Sequence, residues 1–208
     1  MTNEPHGGRR RQDPIEIIPY DSGWPAAFDR QRSRVEPALR PWIVGPVEHI
    51  GSTSIPGMGA KPIIDMLARV PDYRHTAGIV EAMSGIGWAH APEPGDERAR
   101  KWSFCFPDIG WRTHHVHIFE CDPDNWQSLL TFRDHMRTHP GDAAEYGRLK
   151  ALLAAADAYD RPRYRAGKAP FIEDLLKRLE SSGKETGRAG GRDNSGSSSA
   201  GGISERRW

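Results

Sequence analysis

The stretch Glu48–His49–Ile50–Gly51–Ser52–Thr53–Ser54–Ile55–Pro56–Gly57, followed by Lys61–Pro62–Ile63–Ile64–Asp65–Met66–Leu67, decides how the rest of the chain is read. Val47 to Ile50 reads as a short strand. It runs into a bend of glycine, serine, threonine and proline, and Pro62 to Val70 then forms a strongly apolar strand. A strand that opens into such a bend presents backbone N–H groups and hydroxyls, the groups that hold phosphate oxygens. Gly51, Ser52, Thr53 and Ser54 are therefore candidate phosphate contacts, with Lys61 adding a point charge. The same residue types also make ordinary turns for backbone reasons, so a plain turn is the competing reading. The bend is not a P-loop, because no G-x-x-x-x-G-K-[ST] occurs in the chain.

Asp65 interrupts Ile63–Ile64 and Met66–Leu67 in a strand expected to be buried on both faces. An unpaired carboxylate there is costly, so it needs a cation, a metal or several donors. A second run, Arg112–Thr113–His114–His115–Val116–His117–Ile118–Phe119–Glu120, also reads as a strand. Alternation puts His115, His117 and Phe119 on one face and His114, Val116, Ile118 and Glu120, with Arg112, on the other. Two histidines on one face suit a ligand or acid–base role, against the ordinary reading of hydrogen-bonded structural residues. His135 and His139 lack a His-Glu-x-x-His pattern and read as helix C-terminal residues.

Working outward, Asp21 and Ser22 are expected to cap a helix carrying Trp24, Phe28, Val35 and Leu39, with Pro37 kinking or ending it. Ile79, Val80, Met83 and Ile86 mark a helix that ends at Gly87. Lys101 to Phe106 and Arg112 to Glu120 form a hairpin around Pro107–Asp108–Ile109–Gly110, and helical patterns follow at 124–138, 142–158 and 168–180. The expected architecture is α/β or α+β, a mixed sheet flanked by helices with a helical C-terminal half.

Composition sets the outer limits. The 208 residues are 37% hydrophobic, and 29 basic against 28 acidic side chains leave a net charge of +1. A dedicated nucleic-acid binder carries a basic excess, so that class is disfavoured. No apolar run approaches the roughly 20 residues that cross a bilayer, and the N-terminus lacks a signal-like apolar core. A cytoplasmic protein is expected. Residues 1–13 are polar, and residues 181–208 hold seven glycines and seven serines. Both ends read as disordered tails around one domain at 14–180. Cys105 and Cys121 both fall in strand-like runs. With Cys105 opposite Thr113, Cys121 lies about 27 Å out of register, too far for a disulfide. Two buried free thiols and a reducing compartment follow.

At this level the motifs resemble a known family. Ile15–Glu16–Ile17–Ile18–Pro19–Tyr20–Asp21 with Trp24–Pro25 is similar to the opening of the GrpB family. Glu48 to Gly57 with Lys61 to Asp65 resembles its signature, and Thr113–His114–His115–Val116–His117, Phe132–Arg133–Asp134, His139–Pro140 and Lys168 with Phe171–Ile172 match later blocks. The resemblance spans about residues 15–179 and implies a nucleotidyltransferase-like fold. It further implies a Gly-Ser loop that contacts a nucleotide triphosphate, an Asp-x-Asp strand that binds Mg²⁺ or Mn²⁺, and a third carboxylate on a later strand. In some actinobacterial relatives a similar domain is fused to dephospho-CoA kinase, so a nucleotide or a CoA-related small molecule is the expected partner. This chain departs from the pattern at Leu67, which stands where the second carboxylate belongs.

Three readings follow. In metal-assisted nucleotidyl transfer, Asp65 anchors the ion, His115 or His117 is the base, and Lys61, Lys101, Arg112 and Lys168 neutralise phosphate; Glu120 is a further metal candidate that alternation turns away. In the second, the fold serves as a nucleotide- or CoA-precursor-binding module without turnover. In the third, Asp65, His115 and His117, with His49 as an added donor, form a metal site for hydrolysis or redox-metal chemistry.

Overall fold

The computed structural model describes residues 14–121 and 123–188. Its centre is a five-stranded mixed sheet built from β1 (Glu48–Ile50), β2 (Ile64–Val70), β3 (Ala89–His90), β4 (Lys101–Pro107) and β5 (Arg112–Glu120) in the order β1-β2-β5-β4-β3. Only β2 and β5 run parallel; β1 with β2, β4 with β5 and β3 with β4 are antiparallel. Helices α1 (Trp24–Leu39) and α2 (Thr76–Gly85) precede the hairpin, and α3 (Pro123–Thr138), α4 (Pro140–Ala156) and α5 (Arg161–Arg188) follow it. This is the expected mixed sheet flanked by helices, with a helical C-terminal half.

The period of two along β2 and β5 divides the molecule. Ile64, Met66, Ala68 and Val70 pack with Val116 and Ile118 on one face, under Trp24, Phe28, Val35 and Leu39 of α1 and Ile79 and Met83 of α2. The other face starts with Asp65 and His115, opposite each other, and continues through Leu67 and His117 to Arg69 and Phe119. Leu67 and Phe119 join Ile50 there, under Trp126, Leu129 and Leu130 of α3. One sheet thus carries a largely apolar face, with His49, His114 and Glu120 at its margins, and a face whose apolar half gives way to polar side chains.

The bend after β1 is pinned from two sides. Ile55 and Met58 insert among Phe132, Met136, Tyr146, Ile172, Leu175 and Leu176 of the C-terminal helices. Arg137 Nε donates to the Ser54 carbonyl at 2.9 Å, and Arg133 Nη1 donates to the His49 carbonyl at 3.1 Å and to Glu48 Oε2 at 2.8 Å. Each of these contacts crosses more than 80 positions of sequence.

Several local expectations are corrected. Cys105 lies opposite His115 rather than Thr113 for two reasons of one residue each: the turn closes with Arg112 opposite Pro107, and the ladder then shifts between Phe106 and Pro107. Thr113 is the extra residue, its Oγ1 donating to the Phe106 carbonyl at 3.2 Å. Cys121 is exposed, beyond the end of β5, so only Cys105 is a buried thiol. Asp21 accepts from the Gly23 N–H at 2.7 Å, but the cap of α1 is Gly23, and Pro37 is tolerated in the last turn of that helix. Helix α5 begins at Arg161, seven residues before the start expected at 168, and runs to Arg188, past the boundary expected at 180. Of the tails expected at 1–13 and 181–208, residues 1–13 and 189–208 lie outside the described residues, and 181–188 continue α5. Among those described, no helix is long and apolar enough to cross a membrane.

Ile118 is completely buried at the centre of the sheet's apolar face. Ile118→Ala is expected to cost about 2–5 kcal/mol, read as a lower urea midpoint at unchanged m value.

Candidate functional site

Gly51 is where strand, bend and carboxylate meet. Its backbone takes φ 70° and ψ −176°, a region essentially confined to glycine. A Cβ there would lie 2.5 Å from Asp65 Oδ2 and 3.1 Å from Asp65 Cβ. The missing side chain lets β1 turn directly over the carboxylate. A 3₁₀ turn at Ser52–Ser54 follows and is closed by Ser54 Oγ, which donates to the Gly51 carbonyl at 2.6 Å.

Beneath this turn lies a cavity of about 110 Å³ lined by Ser52, Thr53, Ala60, Lys61, Ile63, Asp65, His115, Lys150, Tyr164 and Lys168. The expected residues Ser52, Thr53, Lys61, Asp65, His115 and Lys168 therefore converge on one space. They come from the bend, β2, β5 and α5, elements that meet only after the C-terminal helices have packed on the bend. Lys61 Nζ lies 5.2 Å and Lys168 Nζ 4.7 Å from the centre of the Tyr164 ring, so the two ammonium groups share one aromatic ring.

His115 Nδ1 lies 3.1 Å from Asp65 Oδ1, and its other nitrogen, Nε2, is buried without a hydrogen-bond partner. Burial alone would raise the Asp65 carboxyl. The hydrogen bond from His115 first, helped by the neighbouring imidazoles and the Lys61 ammonium, outweighs it and holds the group at about 2. Asp65 is thus a carboxylate at any ordinary pH. His117 lies one strand pair further along on the same face, with Nδ1 3.3 Å from Ser103 Oγ. Burial, reinforced by the Lys101 charge, keeps its imidazole well below its usual range and therefore neutral.

Other expected residues are placed elsewhere. Lys101 Nζ sits 3.0 Å from Asp96 Oδ1 and 3.6 Å from Glu93 Oε2, so its charge is already matched. Arg112 Nε donates to the Ile109 carbonyl of its own hairpin loop at 3.0 Å, and Arg112 is not part of the cavity wall. Glu120 pairs with Val70 on the opposite face and is bound by Arg100, whose Nη2 donates to its Oε1 at 2.7 Å. It stands five residues from His115, roughly 16 Å at strand rise, and has no part in this site. His49 also belongs to the other face: it pairs with Met66, stacks on Phe28 at 4.7 Å, and has Nε2 3.0 Å from Thr53 Oγ1. It steadies the turn and does not join Asp65, His115 and His117.

Sequence reasoning missed Lys150 and Tyr164. Lys150 is 2% exposed, and its Nζ donates to the Gly59 carbonyl at 2.7 Å. Burial first, then the charges of Lys168 and Lys61, bring it down from 10.5 to about 7; burial similarly brings Lys168 to about 8. The signal was present, since Tyr146, Lys150 and Ala154 recur every four residues on the buried stripe of α4. A lysine on that stripe is an anomaly that needs an anion or an acceptor. Tyr164 lay in a polar run without helical period.

The metal that the resemblance implies requires a separate test. Leu67, at the second-carboxylate position, is fully buried against Ile50 and Phe119. Asp65 is left with two imidazoles as neighbours, and one candidate ligand atom from each of Asp65, His115 and His117 lies within 4.8 Å of the others. Magnesium favours an all-oxygen octahedron, and this donor set does not fit it. A divalent ion that accepts imidazole nitrogen does fit.

With this geometry, the relationship to known proteins is direct. The model for the family described as GrpB protein matches residues 14–178, and the chain belongs to the GrpB family. The UPF0157 protein YqkA of Bacillus subtilis (strain 168) is 38% identical over 159 residues, covering 76% of this chain and 45% of that protein. The chain therefore spans less than half the length of that relative. The crystal structure of conserved protein GrpB from Enterococcus faecalis, 30% identical, matches with a TM-score of 0.68 over 79% of this chain and 99% of that one. A dephospho-CoA kinase of Mycolicibacterium paratuberculosis (strain ATCC BAA-968 / K-10) is 25% identical over 79% of this chain and 46% of its own length. The Cid1 poly(U) polymerase in its MgGTP-bound structure is a more distant likeness, 14% identical with a TM-score of 0.45 over 66% of this chain and 45% of that one.

The lysine pair gives a pH prediction. In the native state Lys150 holds its proton only below about 7, whereas the unfolded chain keeps it up to its ordinary 10.5. Between those values the unfolded state binds more protons, so native stability rises with pH across that window. Lys150→Met is expected to flatten this rise by roughly 1 kcal/mol per pH unit, measured by urea unfolding between pH 7.5 and 9.5. Equal slopes in the two proteins would refute the assignment.

Proposed function

We propose that this chain binds a nucleoside triphosphate through its phosphates in the cavity beside Asp65 and transfers its nucleotidyl group to a hydroxyl-bearing acceptor. The acceptor oxygen bonds the α-phosphorus as the link to the β-phosphate breaks, pyrophosphate leaves and the hydroxyl proton passes to water. One observation carries the reading: Lys61, Lys150 and Lys168 surround a single carboxylate, Asp65, in one cavity beneath a Gly-Ser turn. With Lys150 about half protonated near pH 7, the three lysines outweigh the one carboxylate by roughly one to two positive charges, and a divalent ion would add two more. A nucleoside triphosphate carries about four negative charges, so the cavity and ion together come close to balancing it.

Each residue then has a task. The backbone and hydroxyls at Ser52 and Thr53 orient phosphate oxygens, as strand-to-bend amides do in other phosphate sites. Lys61 and Lys168, fixed over the Tyr164 ring, and Lys150, fixed by the Gly59 carbonyl, neutralise charge without having to move. Preorganised charge of this kind costs no reorganisation when charge develops on a departing phosphate. Asp65, His115 and His117 are given the role of ligands. A metal ion held there supplies Lewis-acid polarisation of a phosphoryl oxygen.

Leu67 favours a second reading, in which the site binds nucleotide or a CoA precursor without turnover. A second metal needs a second carboxylate, and the apolar packing of Leu67 removes it.

Thermal unfolding with nucleoside triphosphates, diphosphates and dephospho-CoA, each with and without divalent cations, tests the binding claim. A true ligand at 100 times its Kd adds about 2.7 kcal/mol to native stability. Lys150→Met and Asp65→Asn are expected to abolish most of that gain. No stabilisation by any of these compounds would overturn the binding claim. A labelled nucleotidylated product in a single-turnover experiment separates transfer from the binding-only reading.

A further inference from the structure

The geometry points to Lys150 as a site of reversible carbamate formation, its side-chain amine combining with dissolved carbon dioxide inside the three-lysine cavity. This goes beyond the preceding reading and requires no nucleotide.

Lys150 is 2% exposed, lines the cavity from α4, and has one hydrogen-bond acceptor for its Nζ, the Gly59 carbonyl at 2.7 Å. The Tyr146 ring is centred 5.0 Å away, and the charges that act on the amine are those of Lys168 and Lys61. An ammonium buried between two others and paired with no carboxylate is the costlier form, so the site favours the neutral amine. At pH 7.5 an exposed lysine is neutral in roughly one molecule in a thousand, whereas Lys150 is neutral in most. The amine and not the ammonium is the nucleophile, and desolvation beside other cations is a known way of activating it.

These surroundings suit the product better than the reactant. The Nζ lone pair bonds the carbon of carbon dioxide, one C=O pair moves onto oxygen, and one N–H proton passes to water. The N–H that remains can still donate to the Gly59 carbonyl. The new negative charge arises in the field of Lys168 and Lys61, so repulsion among three cations becomes attraction. The cavity, about 110 Å³ against the roughly 30 Å³ share of one water, admits so small an electrophile. Other lysines lack this combination. Lys101 is held by Asp96 and Glu93, Lys177 is exposed, and Lys168 has Asp65 among its neighbouring charges to hold its proton. A carbamate also removes the positive excess of the cavity, so carbon dioxide and a phosphate anion would compete there; that consequence alone rests on the preceding reading.

The test equilibrates the full chain at pH 7.5 with ¹³C-bicarbonate, without nucleotide. A carbamate carbon resonance is expected that approaches one per chain at saturating carbon dioxide and vanishes when the gas is purged. Trapping with triethyloxonium, followed by peptide mass spectrometry, is expected to find the ethyl ester on Lys150 in at least about 10-fold excess over Lys177. Both measurements use the native chain, so they hold whether or not the variants fold. Lys150→Arg keeps a cation but has no lysine amine, and is expected to lose the resonance. Lys168→Met removes a stabilising charge and is expected to lower occupancy by at least about 3-fold. Absence of a carbamate, an ester on Lys177 or Lys168 as abundant as on Lys150, an undiminished resonance in folded Lys150→Arg, or unchanged occupancy in folded Lys168→Met would each overturn the proposal. Since every outcome is read without nucleotide, failure here leaves nucleotide-induced stabilisation to be judged separately.

Discussion

A carboxylate set among aliphatic side chains on a central strand has to be compensated, and much of this site is organised around that requirement at Asp65. Gly51 turns the chain over it, in a conformation and at a distance that only a residue without Cβ accepts. His115 is bound to it from the parallel neighbour β5, and the positive charges around it keep it ionised despite its burial. The arginines Arg133 and Arg137 of α3 hold the backbone of the bend above it. The polar half of the sheet face exists because this one group could not be left unmatched.

Charge explains why the cavity is more than a pocket. Protein interiors seldom gather several lysines around one carboxylate, since each buried ammonium costs hydration and repels its neighbours. Lys150 and Lys168 carry that cost in lowered proton affinity. An anion in the cavity would relieve that repulsion. By contrast, Lys101, Arg112 and Glu120, which looked equally available along the chain, are occupied by local partners: carboxylates, a loop carbonyl and Arg100.

The hairpin shows where reading by periodicity reaches its limit. Alternation placed His115 and His117 correctly on one face, because that depends only on the pleat. Register depends on where the turn closes, and a turn closing at Pro107–Arg112 together with the extra residue at Thr113 put His115, not Thr113, opposite Cys105. Likewise the apolar stripe Phe171, Ile172, Leu175, Leu176 and Leu179 located the buried part of α5, but its first two turns are polar and stayed hidden. Tyr164, which carries two of the lysines, lies in those turns.

The sequence by itself determined the family, the alternation of strands and helices, and the conspicuous Gly51–Asp65–His115–His117 constellation. Those features follow from local conformational preference and from the expense of burying a charge, both of which act over a few residues. Only the tertiary structure decided which cations reach Asp65, that Lys150 joins them, that His49 turns to the other side, and that Leu67 is consumed by packing under α3. These outcomes depend on strand pairing and helix docking between segments up to a hundred residues apart. No spacing along a single chain encodes the distance between two side chains that meet only when the sheet and the helices close upon each other.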